Sequence, residues 1–395
     1  MERADVIVVG LGAMGSATTL QLAARGVDVV GIDRFAPPHS LGSTHGDTRV
    51  TRVACAEGAA FVPLARRSHE LWRELEAESG TSLFEACGVL MAGPGSGLGS
   101  MHGTDDWIGA TIALAEQFEV DHEVLDGAAA HERFPMFAFD DATRAYLEPG
   151  GGFVRPEAAV GAQLELARPA GARLHLDAEV TSITSSSAGV EVRTADGGTF
   201  GAERVVLSVG AWLPTFLDEP SLRDSFTVHR QTLHWFDMDP VWADRVTPDA
   251  LPVYLWSFGP GATDFFYGFP AIDGPSGGMK VATEQFTETT TAEAVSREVS
   301  ADEARAMHER CLSGRMAAVT DHPLRSASCL YTVTRDSNFV VDEHPELPGV
   351  LLVSPCSGHG FKHSAALGEA IAQRLVTGSS TIDLSSFTLA ATGST

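Results

Sequence analysis

The sequence predicts an α/β protein in which a Rossmann-type, nucleotide-binding domain is interleaved with a second, mixed-sheet domain. Three observations predict it: a strand, glycine turn and helix at the start, a return of α/β rhythm after about residue 147, and a strand, glycine-rich turn and helix near the end. The 395 residues, 44% hydrophobic and 20% charged, can bury one or two sizeable cores without disulfide or metal staples. A net charge of −25 opposes binding to nucleic acid or to anionic membranes. Cys55, Cys87, Cys311, Cys329 and Cys356 are odd in number and lack paired spacings, so they read as reduced thiols. No basic stretch precedes an apolar one at the start, and no apolar run reaches the ~20 residues of a membrane span. A soluble, cytoplasmic protein is expected.

In chain order, Val6–Val9 reads as a buried strand, SATTLQLAAR as a helix ending at Gly26, and Val27–Ile32 as a second strand. LARRSHELWRELEAESG has helical periodicity, with Trp72 and the leucines as core. Cys87–Met91 looks strand-like and Asp105–Phe118 helical. Gly150–Val154, the helix PEAAVGAQLELARPAG, a strand over Arg173–Ile183 and strands at Gly189–Thr194 and Arg204–Val209 then lead to Gly210-Ala211-Trp212. Strands at Thr232–Phe236 and Pro252–Phe258 belong to the second domain, and Val350–Val353 with SAALGEAIAQRLVTG closes the first. The expected division is 1–82, 147–222 and 326–385 for the nucleotide domain, 83–146 and 223–325 for the substrate domain, and a tail over 386–395. Flexible pieces are expected at GPGSGLGS, at Gly274–Gly278 and in the Ser/Thr-rich tail.

The first turn is Gly10-Leu11-Gly12-Ala13-Met14-Gly15, and the second strand closes on Asp33, about 20 residues further on. Gly10 permits the turn, Gly12 lets a pyrophosphate approach the backbone, and Gly15 lets helix and strand pack closely. The helix start offers free N–H groups to phosphates, and Asp33 can accept from a ribose. This fingerprint does not choose between NAD and FAD. In the next segment, Pro37 to Arg52, a loop leads into an expected helix that puts Arg49 and Arg52 on one face. Two adjacent guanidinium groups suit a carboxylate substrate or a flavin edge; the other reading is a solvated face with acidic neighbours such as Glu57. His359-x-x-x-His363 lacks the intervening Glu of a zinc motif, and no metal is expected.

The fingerprint with Asp33, the run Gly42-Ser43-Thr44-His45-Gly46-Asp47-Thr48-Arg49, Tyr267-Gly268-Phe269-Pro270 followed by Lys280, Cys329-Leu330-Tyr331-Thr332, and Ser357-Gly358-His359-Gly360-Phe361-Lys362 occur in that order. In this the chain resembles the monomeric sarcosine oxidase and N-methyltryptophan oxidase family of FAD-dependent amine oxidases, over nearly its whole length. The resemblance implies an FAD domain of glutathione-reductase-like or D-amino-acid-oxidase-like architecture, a mixed-sheet catalytic domain, and oxidation of a secondary amine by O2 to give H2O2. It implies FAD bonded through Cys329, with Gly10, Gly12, Gly15, Asp33, Arg34, Ser43, Thr48, Arg49, Val180, Gly358, Gly360, Phe361 and Lys362 around the cofactor. Lys280 would assist reaction with oxygen, Arg49 would tune the flavin, Arg52 with Lys362 would clamp a substrate carboxylate, and Tyr267 and Tyr331 would line the site. Cys311 and Cys356 fall outside the motif and are expected to be structural. Four residues after Lys280 that family carries a histidine, whereas Glu284 stands here, which points away from sarcosine itself and to a role in specificity. An N-methyl amino acid is the expected substrate and a monomer the expected state. A cyclic imino acid, a specialised-metabolite amine, a NAD(P)-dependent dehydrogenase and a non-catalytic flavin-binding protein are the alternatives.

Overall fold

The computed structural model describes residues 1–95, 104, 106–261 and 263–389. Most of GPGSGLGS, Asp105 and the end of the tail lie outside these residues.

Glu2–Val9 runs through an eight-stranded sheet, parallel to Val29–Ile32 on one side and to Thr199–Leu207 on the other. Val6, Val8, Val29 and Val206 pack in one core with the helices while Ile7, Val9, Val30 and Val205 pack in another, so both faces of these strands are buried, as parallel sheets require. Arg173–His175 extends the sheet beyond Val29–Ile32, and Val350–Ser354 pairs in parallel with Thr199–Leu207. Helices Ala13–Ala24, Phe61–Ser79, Pro156–Ala167 and Ser364–Thr377 cover one face with one apolar core. Small residues let the first and last of these approach: a Cβ on Gly368 would meet Ala17 Cβ at 2.5 Å.

A nine-stranded sheet forms the second layer, in the order Thr289–Thr290, Thr227–Met238, Met279–Ala282, Phe265–Gly268, Val253–Ser257, Val89–Pro94, Thr143–Glu148 and Glu123–Asp126. The long strand Val319–Val333 pairs antiparallel with Thr227–Met238 and carries Cys329 and Tyr331. A small sheet of Arg49–Thr51, Phe84–Glu85 and Gly152–Val154 joins the layers.

Three sequence expectations are corrected. Residues 49–52 do not form a helix: Arg49–Thr51 is a strand, registered Arg49 to Val154 and Thr51 to Gly152, because β-branched Val50 and Thr51 favour pairing with a waiting edge. The strand expected over 173–183 is two, Arg173–His175 and Val180–Ser186. Between them Asp177 has a φ of 55°, and Ala178 N donates to Asp33 O at 2.8 Å, so the chain leaves the sheet edge to bond the segment after Asp33. The strand placed at Cys87–Met91 is Val89–Pro94, delayed by Gly88 at a φ of 88°.

Candidate active site

A cavity of about 450 Å³ begins at the carboxyl ends of Glu2–Val9 and Val29–Ile32 and runs between the two large sheets to Leu255, Phe265, Tyr267, Glu284 and Tyr331. Open α/β sheets place ligands at such strand ends.

At its first end the glycine turn is geometrically obligatory. Gly10 has a φ of 88°, and a Cβ on Gly15 would lie 1.7 Å from Gly10 O, so no side chain fits there. Gly12 is open, with Thr44 Oγ1 the nearest atom to an added Cβ at 3.6 Å. Asp33 accepts from Leu11 N at 2.6 Å and Phe35 N at 2.8 Å. Burial raises its pKa, while these two amides pull the other way. Arg34 pairs with Glu179 and Glu293 at the half-exposed rim, and Val180 completes that wall. Trp212 packs against Phe35 at 5.6 Å and lines the cavity, and its buried Nε1 has no hydrogen-bond partner among the described residues.

In the middle, Arg49 Nη2 donates to Ser43 O at 2.6 Å and Nη1 to Thr48 O at 2.9 Å. Burial works against its charge, but Cys329, Tyr267, Tyr331 and Glu157 hold its pKa above the ordinary value. Cys329 Sγ lies 3.7 Å from both Arg49 Nη2 and Ser43 O. Ser43 Oγ donates to Leu330 O at 2.6 Å, tying the loop to the strand that carries Cys329.

Behind this wall Lys280 Nζ donates to Gly46 O at 2.6 Å, Thr48 O at 2.8 Å and Thr48 Oγ1 at 3.3 Å. It lies over Phe269 at 4.8 Å and Trp235 at 5.6 Å, and Arg325 covers Trp235 at 3.6 Å while pairing with Asp47. Burial, then Arg49, holds the Lys280 pKa well below the ordinary lysine value. Lys280, Thr48, Gly15 and Cys329 therefore stand one layer back, whereas the other residues singled out from the sequence reach the cavity surface.

At the far end Arg52 and Lys362 converge, but on a carboxylate of the protein itself. Glu57 Oε1 accepts from Lys362 Nζ at 2.8 Å and Glu57 Oε2 lies 3.6 Å from Arg52 Nη2. Lys362 Nζ also donates to His359 O at 3.2 Å. Gly360 is fixed by crowding, since a Cβ there would lie 1.5 Å from Pro355 O. On the sheet side Tyr331 OH donates to Glu284 Oε1 at 3.2 Å, and Tyr267 lines the cavity with them. Burial first, then Glu284, pushes the Tyr267 phenol up to about 12.

The sequence reading missed three residues here. Glu148 accepts from Val53 N at 2.6 Å, Ala54 N at 3.1 Å and Tyr146 OH at 2.8 Å, pinning the backbone between Arg52 and Glu57. Cys356, expected to be structural, lines the cavity, and Trp212 lines it near Phe35. Only Trp212, beside a glycine after a strand, carried any signal.

A family model described as FAD dependent oxidoreductase matches residues 5–374. The chain belongs to that family. It is 36% identical over 378 residues to a monomeric sarcosine oxidase of Streptomyces avermitilis, covering 95% of this chain and 94% of the relative. It is 33% identical over 388 residues to an N-methyl-L-tryptophan oxidase of Yersinia pestis, covering 98% of each. The solved structure of NikD, an amino acid oxidase, superposes with a TM-score of 0.81 at 24% identity and covers 98% of each chain. Glycine oxidase from Geobacillus kaustophilus gives 0.75 at 23% identity, covering 98% of this chain and 99% of the other.

The residues present fit FAD. The open face of Gly12 and the Asp33 carboxylate border one cavity, and that cavity continues to Arg49. Among the described residues no helix is long and apolar enough to cross a membrane, and no group of three or more His, Cys, Asp or Glu could hold a metal ion.

Proposed function

We propose that this FAD-dependent oxidoreductase oxidises secondary amines that bear a carboxylate, N-methyl amino acids first among them, with O2 as acceptor. The observation that carries the reading is the buried cation pair Arg52 and Lys362 on the wall of a cavity that starts at the dinucleotide turn. A guanidinium and an ammonium together suit a carboxylate, and Glu57 already occupies them as one.

When bound, FAD would supply the two-electron oxidation of the carbon beside the amine nitrogen, with O2 as the final acceptor. The protein positions and shields. Arg52 and Lys362 hold the substrate carboxylate, with Glu57 as the group it displaces. Leu255, Phe265, Tyr267 and Tyr331 exclude water from the amine, which must be neutral to react. Arg49 would set the charge beside the flavin, and Lys280, held by three oxygens of the turn Gly46–Thr48 one layer behind the cavity wall, would assist the reaction with oxygen. Cys329 is proposed to hold FAD covalently through its sulfur, which lies 3.7 Å from the Arg49 guanidinium.

Oxidation at an N-methyl carbon followed by hydrolysis releases the amine and formaldehyde. The test is to supply N-methyl amino acids to the purified flavoprotein and to measure H2O2 and formaldehyde. Equal amounts of the two support the proposal. Peroxide without formaldehyde from a cyclic imino acid alone would move the substrate to that class. No peroxide from any secondary amine, with flavin bound, would refute it.

A further inference from the structure

We infer that Arg325 and Asp47 are positioning residues for Lys280: their ion pair fixes the turn whose oxygen atoms hold the Lys280 ammonium. The inference rests on the oxygen role given to Lys280 above and adds the groups that keep it in place.

Sheet register brings the parts together. Lys280 on Met279–Ala282 pairs with Trp235 on Thr227–Met238, and Trp235 pairs with Arg325 on Val319–Val333. Directly paired residues put their side chains on one face, so lysine, indole and guanidinium stand in a row across three strands. The two cations share the ring: Lys280 Nζ lies 5.6 Å from the centre of Trp235 and the Arg325 guanidinium 3.6 Å.

Both cations then reach the same three-residue turn. Lys280 takes its outer members, Gly46 O at 2.6 Å and Thr48 O at 2.8 Å, and Arg325 pairs with the carboxylate of the middle one, Asp47. The acceptors of Lys280 are two carbonyls and a hydroxyl, so its place depends on their geometry and on no bonded counter-ion. That geometry is an uncommon one. Gly46 has a φ of 97° and Asp47 of 67°, left-handed backbone that side chains other than Asn and Asp rarely adopt. On one side Glu157 Oε1 ties the turn, accepting from Gly46 N at 2.5 Å and Asp47 N at 3.2 Å; on the other the tie is Arg325. The pair also bears on charge: burial and Arg49 work against the Lys280 ammonium, and Asp47 works for it. The Arg325 side chain is 48% exposed and that of Asp47 30%. An ion pair this exposed contributes little to stability, so its loss should show in the turn and not in folding.

The chain has only two lysines, Lys280 and Lys362, which makes side-chain nitrogen NMR a direct reporter. The flavin-containing enzyme labelled with 15N-lysine should give two side-chain signals, of which Lys280→Met removes one. In Arg325→Gln the Lys280 signal should shift or broaden, while that of Lys362, held by Glu57 and His359 O, stays. Flavin reoxidation by O2 should slow by about tenfold, with reduction by substrate changed by less than about twofold. Asp47→Asn, which keeps left-handed backbone accessible, should do the same, and the double variant should be no slower than the slower single one, because each removes the same pair. A wild-type Lys280 signal with a wild-type reoxidation rate in Arg325→Gln would overturn the inference. Equal changes in both lysine signals, or additive losses in the double variant, would overturn it too. If Arg325→Gln does not fold, Asp47→Asn decides on the same readouts. Failure of the oxygen role looks different: Lys280→Met then reoxidises at the wild-type rate, and the lysine signals alone support or overturn the positioning.

Discussion

Replacing Glu57 with glutamine tests whether Arg52 and Lys362 form an anion site. Glu57 lies 2.8 Å from Lys362 Nζ and 3.6 Å from Arg52 Nη2, and all three side chains are at most 6% exposed. Removing one partner of a buried ion pair costs about 3–5 kcal/mol, because the remaining charge stays desolvated. The glutamine oxygen can still accept from Lys362, which recovers about 1 kcal/mol. A net loss of about 3 kcal/mol is therefore expected, or roughly 4 °C in the apparent midpoint of thermal unfolding. An external carboxylate should reverse this. With the internal competitor's charge removed, N,N-dimethylglycine should bind the variant about tenfold more tightly than the wild type and restore most of the lost midpoint. Thermal unfolding with and without that ligand, together with a titration followed by flavin absorption, measures both effects. An unchanged midpoint together with an unchanged Kd would refute the anion-site reading.

Other expectations follow from the same geometry. Glu148→Gln leaves at least one buried donor among Val53 N, Ala54 N and Tyr146 OH facing an amide NH2, so stability should fall by about 2 kcal/mol. KM should rise as the backbone between Arg52 and Glu57 loosens; an unchanged KM would contradict the positioning role. Burial pulls His45 down to about 3 and His234 to about 4, so both are neutral in the fold. An unfolded histidine titrates near 6.5, so the unfolded chain binds more protons below that pH. Stability should therefore fall as pH drops from about 6.5 towards 4, with His234 contributing about 3 kcal/mol, and His234→Asn should flatten that slope. Denaturant titrations across this range that show the same slope in both proteins would contradict it. Lys280→Met should slow flavin reoxidation by O2 far more than it slows flavin reduction, and stopped-flow rates equal to wild type in the oxidative half would remove Lys280 from the oxygen step.

The architecture was legible where local chemistry and tertiary need agree. Val6–Val9, the glycine turn and Asp33 read clearly because a buried parallel strand, a left-handed Gly10 and a strand-end carboxylate each leave a mark in sequence. Arg49 and Arg52 read as functional but in the wrong element. The helix expectation weighed their spacing, while the strand forms only because Gly152–Val154, about a hundred residues away, offers an edge. Glu57 was visible as a neighbour of the arginines, yet its place between Arg52 and Lys362 depends on bringing residue 362 to residue 57. Glu148 left no trace, because its role consists of accepting two backbone N–H groups whose positions no side-chain pattern records. Lys280 illustrates the opposite limit: the resemblance singled it out, and only the structure puts its three oxygen contacts in the turn Gly46–Thr48, one layer behind the cavity wall.

The most direct test of amine oxidation at this site is to mix the purified flavoprotein with an N-methyl amino acid in the absence of oxygen and then readmit air. The yellow flavin absorption should bleach on mixing, return with air, and yield H2O2 in step with its return. Flavin absorption that stays unchanged with every secondary amine, in protein whose flavin dithionite still bleaches, would contradict an amine oxidase.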